Sequence, residues 1–309
     1  MDESLSSVTI TGGGYAAEIG LRGGQLLSLR HEQDEIVVPA AQAEGSFAGA
    51  VLAPWPNRVS GATYVHDETL YELPVTEEET GAALHGLLLD APCEVVKQEE
   101  SGVELRTVLE ASEGYPFTLE FVLFYRVSSD VGLAATLMAR QPVAPGGDDD
   151  ADSFEAANAA PALYGAGFHP YLRAGSAPLD ECRLKLPAHT VVSLDPAGKV
   201  ASRETVSGDL DLTGGPLLVG RSIDHAYTGF PEEGWTAELV HGPTGFVVRM
   251  IADTPWAQIY TGERMDRAGV AVEPMTCPPD AFNSGEDVVY LAPGQWHRVG
   301  YSIEVMHRD

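Results

Sequence analysis

The chain has 309 residues, of which 44% are hydrophobic, and this is enough to build a sizeable core. No apolar run approaches the roughly 20 residues that a membrane-spanning helix requires. The sequence carries 18 Lys and Arg against 46 Asp and Glu, a formal net charge of -28. Because nucleic-acid binding depends on basic side chains that neutralise phosphates, this balance argues strongly against a nucleic-acid partner. It argues equally against an anionic membrane surface, and more weakly against highly anionic substrates.

The cysteines and the N-terminus indicate a reduced compartment. Cys93, Cys182 and Cys277 lie far apart and form no C-x-x-C pair, so we expect neither a disulfide framework nor a zinc site. The first ten residues, MDESLSSVTI, contain no basic stretch followed by an apolar one. We therefore expect no signal peptide and a cytoplasmic location.

The predicted elements, in chain order, are almost all strands. The only helix candidate, residues 34–43, is short and weakly periodic. Residues 117–125 (FTLEFVLFY) are dense in aromatic and aliphatic side chains, as strands are. Residues 235–262 predict three strands separated by turns at HGPTG and DTP, and residues 296–305 predict one more. Short strands broken by Gly and Pro, with no repeat and no linker, indicate an all-β sandwich or barrel.

One segment has a biased composition. Residues 143–161 (VAPGGDDDADSFEAANAAP) contain several acidic residues and no basic one. We interpret the segment as a solvated loop between two strands. The alternative is a cation site over the acidic residues 148–155, although the run lacks the spaced ligands and distal Glu of an EF-hand loop.

Two histidines have surroundings that differ from those of the others. His85 lies in AALHGLLL and His169 in YGAGFHPYL, each among apolar or aromatic residues and beside Gly. Each could be a satisfied core histidine. A histidine half buried in a cleft, with a pKa near neutrality, is also the usual general acid or base.

Three charged residues extend this set of candidates. Glu273 lies in an apolar strand (GVAVEPM), where a carboxylate must be hydrogen-bonded or functional because its unpaired burial is costly. Burial would raise its pKa and make it a stronger proton acceptor. Asp224 lies in SIDHAY, and Arg58 follows Asn57 in PWPNRVSG. An arginine offers a rigid fork of donors to hydroxyls or carboxylates.

The remaining motifs exclude several kinds of site. The chain has no G-x-S-x-G, Walker or H-E-x-x-H motif, and neither Gly-rich stretch near the N-terminus precedes a helix. Two histidines and one Glu without metal-ligand spacing favour metal-free acid–base chemistry over a metal site. The tryptophans could offer flat faces to sugar rings, but core positions are the more common outcome. They are Trp55, Trp235, Trp256 and Trp296.

The ordered set of these motifs resembles the aldose 1-epimerase (galactose mutarotase) family. The resemblance runs from GYAAEIGLRGGQLLSLR through PWPNRVSGATY, LHG and FHPYL to DHAYTGF, VEPMTCPPDAFN and LAPGQ. It covers nearly the whole chain. It implies one domain over residues 1–309, folded as a large antiparallel β-sandwich with the site on a concave face.

The resemblance also implies a reaction, the interconversion of the α and β anomers of an aldose without a cofactor or a covalent intermediate. A base takes the proton of the anomeric hydroxyl while an acid protonates the ring oxygen, and closure on the other face reverses both transfers. By resemblance, Glu273 is the base and His169 is the acid. The residues that would bind the sugar are Asn57, Arg58, His85 and Asp224.

Two departures from the galactose-type pattern concern the substrate. Leu172, Arg173 and Ala174 follow HPY, and Leu87 follows LHG. PWPNR and LHGLL are more similar to a bacterial branch of the family, which includes proteins acting on modified sugars such as sulfoquinovose. Arg173 is then either a surface charge or a contact for an anionic substituent.

Two rival functions follow, together with an expectation about partners and assembly. The first rival is a non-catalytic sugar-binding or sensor domain on the same fold. The second is an epimerase for a sulfo- or phospho-sugar, and a sugar-phosphate site predicts two or more arginines in the pocket. The only expected partner is the sugar substrate, bound by a monomer or a homodimer.

Overall fold

The structure, a computed structural model, describes residues 7–143 and 160–307. Its regular structure is almost entirely β-strand, and every pairing between strands is antiparallel, which confirms the predicted all-β class. Within the described ranges the only α-helix is the single turn α1 (Ala281–Ser284). The strands are β1 (Ser7–Gly12), β2 (Tyr15–Gly20), β3 (Leu26–His31), β4 (Asp34–Glu35), β5 (Val51–Leu52), β6 (Arg58–Val59), β7 (Thr63–His66), β8 (Thr69–Glu72), β9 (Ala83–Leu84), β10 (Glu94–Glu99), β11 (Gly102–Leu109), β12 (Leu119–Ser128), β13 (Gly132–Arg140), β14 (Ala162–Tyr164), β15 (Gly167–Phe168), β16 (Tyr171–Leu172), β17 (Cys182–Lys185), β18 (Thr190–Leu194), β19 (Val200–Thr205), β20 (Asp224–Thr228), β21 (Trp235–His241), β22 (Phe246–Ala252), β23 (Trp256–Tyr260), β24 (Val270–Met275), β25 (Val289–Leu291) and β26 (Trp296–His307).

Two eight-stranded sheets form the body of the fold. The first sheet has the order β10-β11-β12-β13-β26-β22-β21-β17. The second sheet has the order β19-β18-β20-β23-β24-β15-β5, with β16 also paired to β24. The predicted strands at 117–125, 235–262 and 296–305 correspond to β12, β21 to β23 and β26. Because β21 and β22 lie in the first sheet and β23 in the second, the turn at Asp253 crosses between the sheets.

The inner faces of the two sheets share one core. Phe168 of the second sheet packs edge-on against Tyr301 of the first, with ring centroids 4.9 Å apart. Buried residues from Val8 to Ile303 form a single contiguous hydrophobic cluster. The organisation as one domain over residues 1–309 stays a prediction, and this shared core supports it.

The alternation of strands β23 and β24 determines which side chains face away from that core. Val270 and Val272 point into the large cluster, and so do Ala257 and Ile259 on the neighbouring strand. Because successive side chains of a strand point to opposite faces, the residues that alternate with these four lie on the other face of the second sheet. Glu273 is one of these residues.

The helix expected over residues 34–43 is wrong. Residues Asp34–Glu35 form β4, which pairs with β3, and only Ala40–Gln42 form a 3₁₀ turn. Val37 forms an antiparallel bridge with Leu172, and Val38 donates its backbone N–H to the carbonyl of Tyr171. A residue that precedes a proline is disfavoured in helical conformation, and here Pro39 follows Val38.

Two further expectations from the sequence concern membrane-spanning helices and the acidic segment. No helix within them is long and apolar enough to cross a membrane. The acidic run 148–155 and its expected loop or cation site lie outside the described residues.

Candidate active site

A pocket open to solvent, with about 570 Å³ of space including its open mouth, lies on the outer face of the second sheet. Its walls come from that sheet, from the paired strands β6 and β9 and from the segment between β4 and β5. The pocket brings together all six residues singled out from the sequence, although they span more than two hundred positions of the chain. They are Asn57, Arg58, His85, His169, Asp224 and Glu273.

The floor of the pocket follows from strand register. Glu273 on β24 stands directly opposite Gln258 on β23. Gln258 in turn donates its side-chain amide to Asp224 Oδ1 on β20, at 2.6 Å. Three adjacent strands thus place two carboxylates and one amide on the face turned away from the core.

One wall of the pocket is the short two-stranded sheet of β6 and β9. Arg58 pairs in register with Leu84, and the next residue, His85, donates its backbone N–H to the carbonyl of Asn57 at 2.8 Å. Because both strands end at the pocket, the side chains of Asn57, Arg58 and His85 reach it together.

His169 and Glu273 are in direct contact at the bottom of the pocket. His169 Nε2 lies 3.3 Å from Glu273 Oε1, and both side chains are at least 95% buried. His169 is held by its backbone, which donates to Ala50 and accepts from Gly49, and its ring stacks on Tyr171 with centroids 5.0 Å apart. The pair is therefore fixed in position and shielded from bulk water.

Burial shifts the pKa of each of these groups towards its neutral form. Desolvation raises the pKa of Glu273 well above its ordinary value of 4.5; the charge of Asp224 adds to this, and the charge of Arg58 opposes it. Desolvation lowers the pKa of His169 to about 4. It also lowers the pKa of His85, helped by the charges of His169 and Arg58. The two shifts together favour a proton on Glu273 over a proton on His169.

Several buried polar atoms of the pocket have no hydrogen-bond partner among the described residues. A buried group of this kind is rare and needs an explanation. A ligand rich in hydroxyl groups would supply both donors and acceptors to them. The atoms are His85 Nδ1, His169 Nδ1, Gln258 Oε1 and Glu273 Oε2.

The backbone is strained where it enters the pocket. Phe47, Asn57 and His85 have φ values of 56°, 54° and 64°. Asn and His visit this left-handed region more readily than most residues, whereas a bulky residue such as Phe is an outlier there. The ring of Phe47 packs edge-on against that of His85, with centroids 4.7 Å apart. Such conformations cost about 1–3 kcal/mol each and cluster at functional sites.

Two arginines line the pocket, and each is paired with a glutamate. Arg58 forms two hydrogen bonds with Glu77, which is buried. Arg264 lies 3.2 Å from Glu79, and both of those side chains are largely exposed. The pocket therefore contains one buried ion pair and one arginine whose partner is loosely held.

Two groups of candidates lie outside this pocket. None of the four tryptophans, all of them described, lines it: Trp55, Trp235 and Trp256 are buried, and Trp296 lies under Arg140. Arg173 pairs with Glu35 at 3.0 Å and lines a different groove. Trp55, Trp235 and Trp256 are thus core residues, and Arg173 is a surface residue in an ion pair. None of the four tryptophans offers a stacking face to a sugar in this pocket.

Comparison with known proteins decides the family. A sequence model described as aldose 1-epimerase matches residues 6–142 and 152–304. The chain belongs to the aldose 1-epimerase family. It is 32% identical over 303 residues to the uncharacterized protein YihR of Escherichia coli K12, covering 97% of this chain and 93% of that protein.

Solved structures of aldose epimerase relatives have the same fold. An aldose epimerase homologue from C. elegans superposes with a TM-score of 0.83 at 17% identity, covering 98% of this chain and 99% of that one. A galactose mutarotase-like protein from Clostridium acetobutylicum gives 0.80 at 16% identity, covering 98% and 95%. At these identities the likeness shows the fold, and the predicted mutarotase-like sandwich is confirmed.

Several residues that line the pocket of this aldose 1-epimerase family member were not found from the sequence. Among them, Gln258 lies on β23 and Arg264 follows that strand, and Phe47 and Glu77 lie in loops. Gln258 had a usable signal, because it is polar between the buried Ala257 and Ile259. Glu77 had none, because it is the first of three consecutive glutamates, a run typical of an exposed loop.

Proposed function

We propose that the protein interconverts the α and β anomers of a hexose by opening and closing the sugar ring. The observation that carries the proposal is the buried contact between His169 and Glu273, at 3.3 Å. The two oxygens on an anomeric carbon, O1 and O5, need one proton acceptor and one proton donor side by side. Each proton-transfer group is typically worth about 10²–10⁴-fold in rate.

In the proposed cycle, ionised Glu273 accepts the proton of O1 while protonated His169 delivers a proton to O5. The C1–O5 bond breaks and C1=O1 forms. The open aldehyde turns about C1–C2, O5 attacks the other face of C1, His169 takes its proton back and Glu273 returns one to O1. The pair holds a single proton throughout, on His169 before opening and on Glu273 afterwards.

Arg58 supports the ring-opening form of this pair. Burial favours the proton on Glu273, which is the form that follows ring opening. The charge of Arg58 lowers the pKa of Glu273 and so favours the ionised base. Hydroxyl groups that donate to the unpartnered Glu273 Oε2 would act in the same direction.

The other polar groups of the pocket are suited to hold sugar hydroxyls. Asp224 and the carbonyl oxygen of Gln258 accept hydrogen bonds, while Arg58 donates them. His85 offers one ring nitrogen, and Asn57 fixes the guanidinium of Arg58 through a hydrogen bond of 3.3 Å. In this proposal Asn57, Arg58, His85 and Asp224 bind and orient the substrate.

The proposal predicts specific losses of activity. Glu273→Gln keeps the shape of the side chain and removes the base, so exchange between anomers should fall to the rate in buffer. His169→Asn should lower kcat by about 10²-fold or more. NMR exchange spectroscopy on anomerically pure aldoses measures both. Exchange at the wild-type rate in Glu273→Gln would contradict the assignment, and a change confined to KM would make His169 a binding residue.

The rival function, a non-catalytic sugar-binding domain, requires fewer of the pocket residues than an enzyme does. A binder needs hydroxyl contacts such as those of Arg58 and Asp224, but has no use for a proton-transfer pair buried at the cost described above. We therefore favour the enzyme. Sugar binding by the wild-type protein without any acceleration of anomer exchange would support the binder instead.

A second candidate substrate is a sugar with an anionic substituent. The observation in its favour is Arg264, the second pocket arginine, whose partner Glu79 is 82% exposed. An exposed ion pair contributes about 1 kcal/mol or less, so an anionic group could replace Glu79. Including sulfonated and phosphorylated hexoses in the exchange panel tests this. Arg264→Ala should raise KM for the anionic sugars alone; an equal effect on neutral sugars would contradict the assignment.

A further inference from the structure

The pocket contains a buried carboxylate that the proposed mechanism does not use. Glu77 is 8% exposed and lines the pocket. It is followed by Glu78 and Glu79, both exposed. Burial of a charge is costly unless a partner compensates for it. The burial of Glu77 alone, among three consecutive glutamates, therefore indicates that this carboxylate has a specific partner in the pocket.

Glu77 is bound on both oxygens. Arg58 Nε donates to Glu77 Oε2 at 2.6 Å, and Arg58 Nη2 donates to Glu77 Oε1 at 2.7 Å. Thr80 Oγ1 donates to the same Oε2 at 2.5 Å. The hydrogen bond from Arg58 lowers the pKa of Glu77, against the effect of burial, and Thr80 adds to this lowering. Glu77 is therefore ionised at neutral pH and holds one edge of the guanidinium in the fork geometry that favours Arg–carboxylate pairs.

Backbone hydrogen bonds join Glu77 to the segment that leads into β9, the strand paired with Arg58. Glu77 donates its N–H to the carbonyl of Ala82 at 3.1 Å, and Gly81 donates to the carbonyl of Glu77 at 2.9 Å. The loop leads directly into β9, where Leu84 pairs with Arg58. The loop that carries Glu77 and the strand that carries Arg58 are therefore joined both by backbone hydrogen bonds and by the side-chain ion pair.

Arg58 has competing partners within the pocket. The charges of both Asp224 and Glu273 act on its guanidinium. Without Glu77, the Arg58 guanidinium would be free to form an ion pair with Glu273, and the carboxylate of Glu273 would then not be available to accept a proton from the sugar. Its long side chain would also lose more conformational entropy on binding a sugar.

We propose that Glu77 and Thr80 are positioning residues that hold Arg58 away from Glu273, with its remaining N–H groups directed to the sugar hydroxyls. This inference rests on the proposed function, in which Arg58 binds the substrate. It assigns to Glu77 no contact with the sugar. The effect of Glu77 therefore has to pass through Arg58.

The test compares neighbouring glutamates. Glu77→Gln keeps the shape but removes the charge and one acceptor oxygen. We expect KM for the best sugar of the panel to rise about tenfold, with a smaller fall in kcat, because hydrogen bonds to a charged group contribute enough for a factor of this order. Glu78→Gln removes the same charge from an exposed position next to it and should leave both constants unchanged. Equal kinetics in the two variants would overturn the inference.

A double-mutant cycle separates positioning from a general structural role. In an Arg58→Ala background, Glu77→Gln should cause no further change in KM or kcat, whereas a structural role would add its own loss.

Thr80→Val should reproduce part of the Glu77→Gln effect and Thr80→Ser should restore KM, which keeps the test valid if Glu77→Gln folds poorly. An additive cycle, or equal Val and Ser variants, overturns the inference alone. A wild-type protein that accelerates no sugar overturns the proposed function and this inference with it.

Discussion

At the scale of single residues, the burial of Glu273 has a consequence for stability that is separate from its proposed role in catalysis. Its pKa is raised in the folded protein, so the folded state binds this proton more tightly than the unfolded state does. The stabilisation is complete below the ordinary value of 4.5 and is lost as the pH rises through the higher folded value. At neutral pH the ionisable group therefore costs stability.

This reasoning predicts that Glu273→Gln is more stable than the wild type at neutral pH. We expect a gain of roughly 1–3 kcal/mol, as for other buried polar groups, and a difference close to zero at about pH 4. His169→Asn is the control with the opposite sign. The pKa of His169 is lowered, so its penalty should grow as the pH falls from 6.5 towards 4. Thermal unfolding of the three proteins across this range measures both trends, and parallel curves would contradict the explanation.

At the scale of elements, the segment between β4 and β5 supports His169. Gly49 donates its N–H to the carbonyl of His169 at 2.8 Å, and its φ is 74°. A Cβ atom at Gly49 would lie 1.9 Å from the carbonyl oxygen of Leu26. Gly45 has the same φ of 74°, but a Cβ atom there would meet nothing within 4 Å.

This pair predicts two very different alanine variants. Gly45→Ala should cost about 1–2 kcal/mol, the penalty of the left-handed conformation alone. Gly49→Ala should cost roughly 1–3 kcal/mol more, because the overlap forces the backbone to move. The displacement would shift His169 and lower the rate of anomer exchange. Urea unfolding measures the difference in stability, and equal midpoints would contradict the argument.

The extent to which the sequence predicts the site also depends on these elements. Glu273 and His169 could be identified because each interrupts an apolar stretch, and burial of a titratable group is visible in the sequence. Three of the four tryptophans, Trp55, Trp235 and Trp256, are buried, which is the outcome that the sequence analysis favoured, because burial of large apolar rings in the sandwich is favourable. Glu77 could not be identified, since its burial depends on a loop that folds back onto Arg58.

At the scale of the whole molecule, the net charge of -28 acts on stability and on encounter with substrate. Like charges repel most strongly in the compact state, and salt screens them over a Debye length of about 10 Å at 0.1 M and 3 Å at 1 M. A neutral sugar does not respond to this field. An anionic sugar would be repelled by it, and in the role proposed above Arg264 would oppose this repulsion within the pocket.

Raising NaCl from about 0.05 to 0.5 M should therefore increase the melting temperature. The same change should leave kcat/KM for a neutral hexose unaffected and increase kcat/KM for an anionic hexose. Calorimetry and exchange kinetics at several salt concentrations measure the two effects. A melting temperature that falls with salt would show that attractive ion pairs, such as that of Arg58 and Glu77, outweigh the general repulsion.

The place of β26 in the first sheet has a consequence for how the protein is made. This strand is the last of those described, yet it lies in the middle of the sheet, between β13 and β22. Until β26 is made, β10 to β13 on one side and β17, β21 and β22 on the other can only form two separate half-sheets, with open edges where β26 will insert. Unpaired edges of this kind recruit strands of other chains. The nascent protein therefore depends on β26 to join the two halves and to cover both edges.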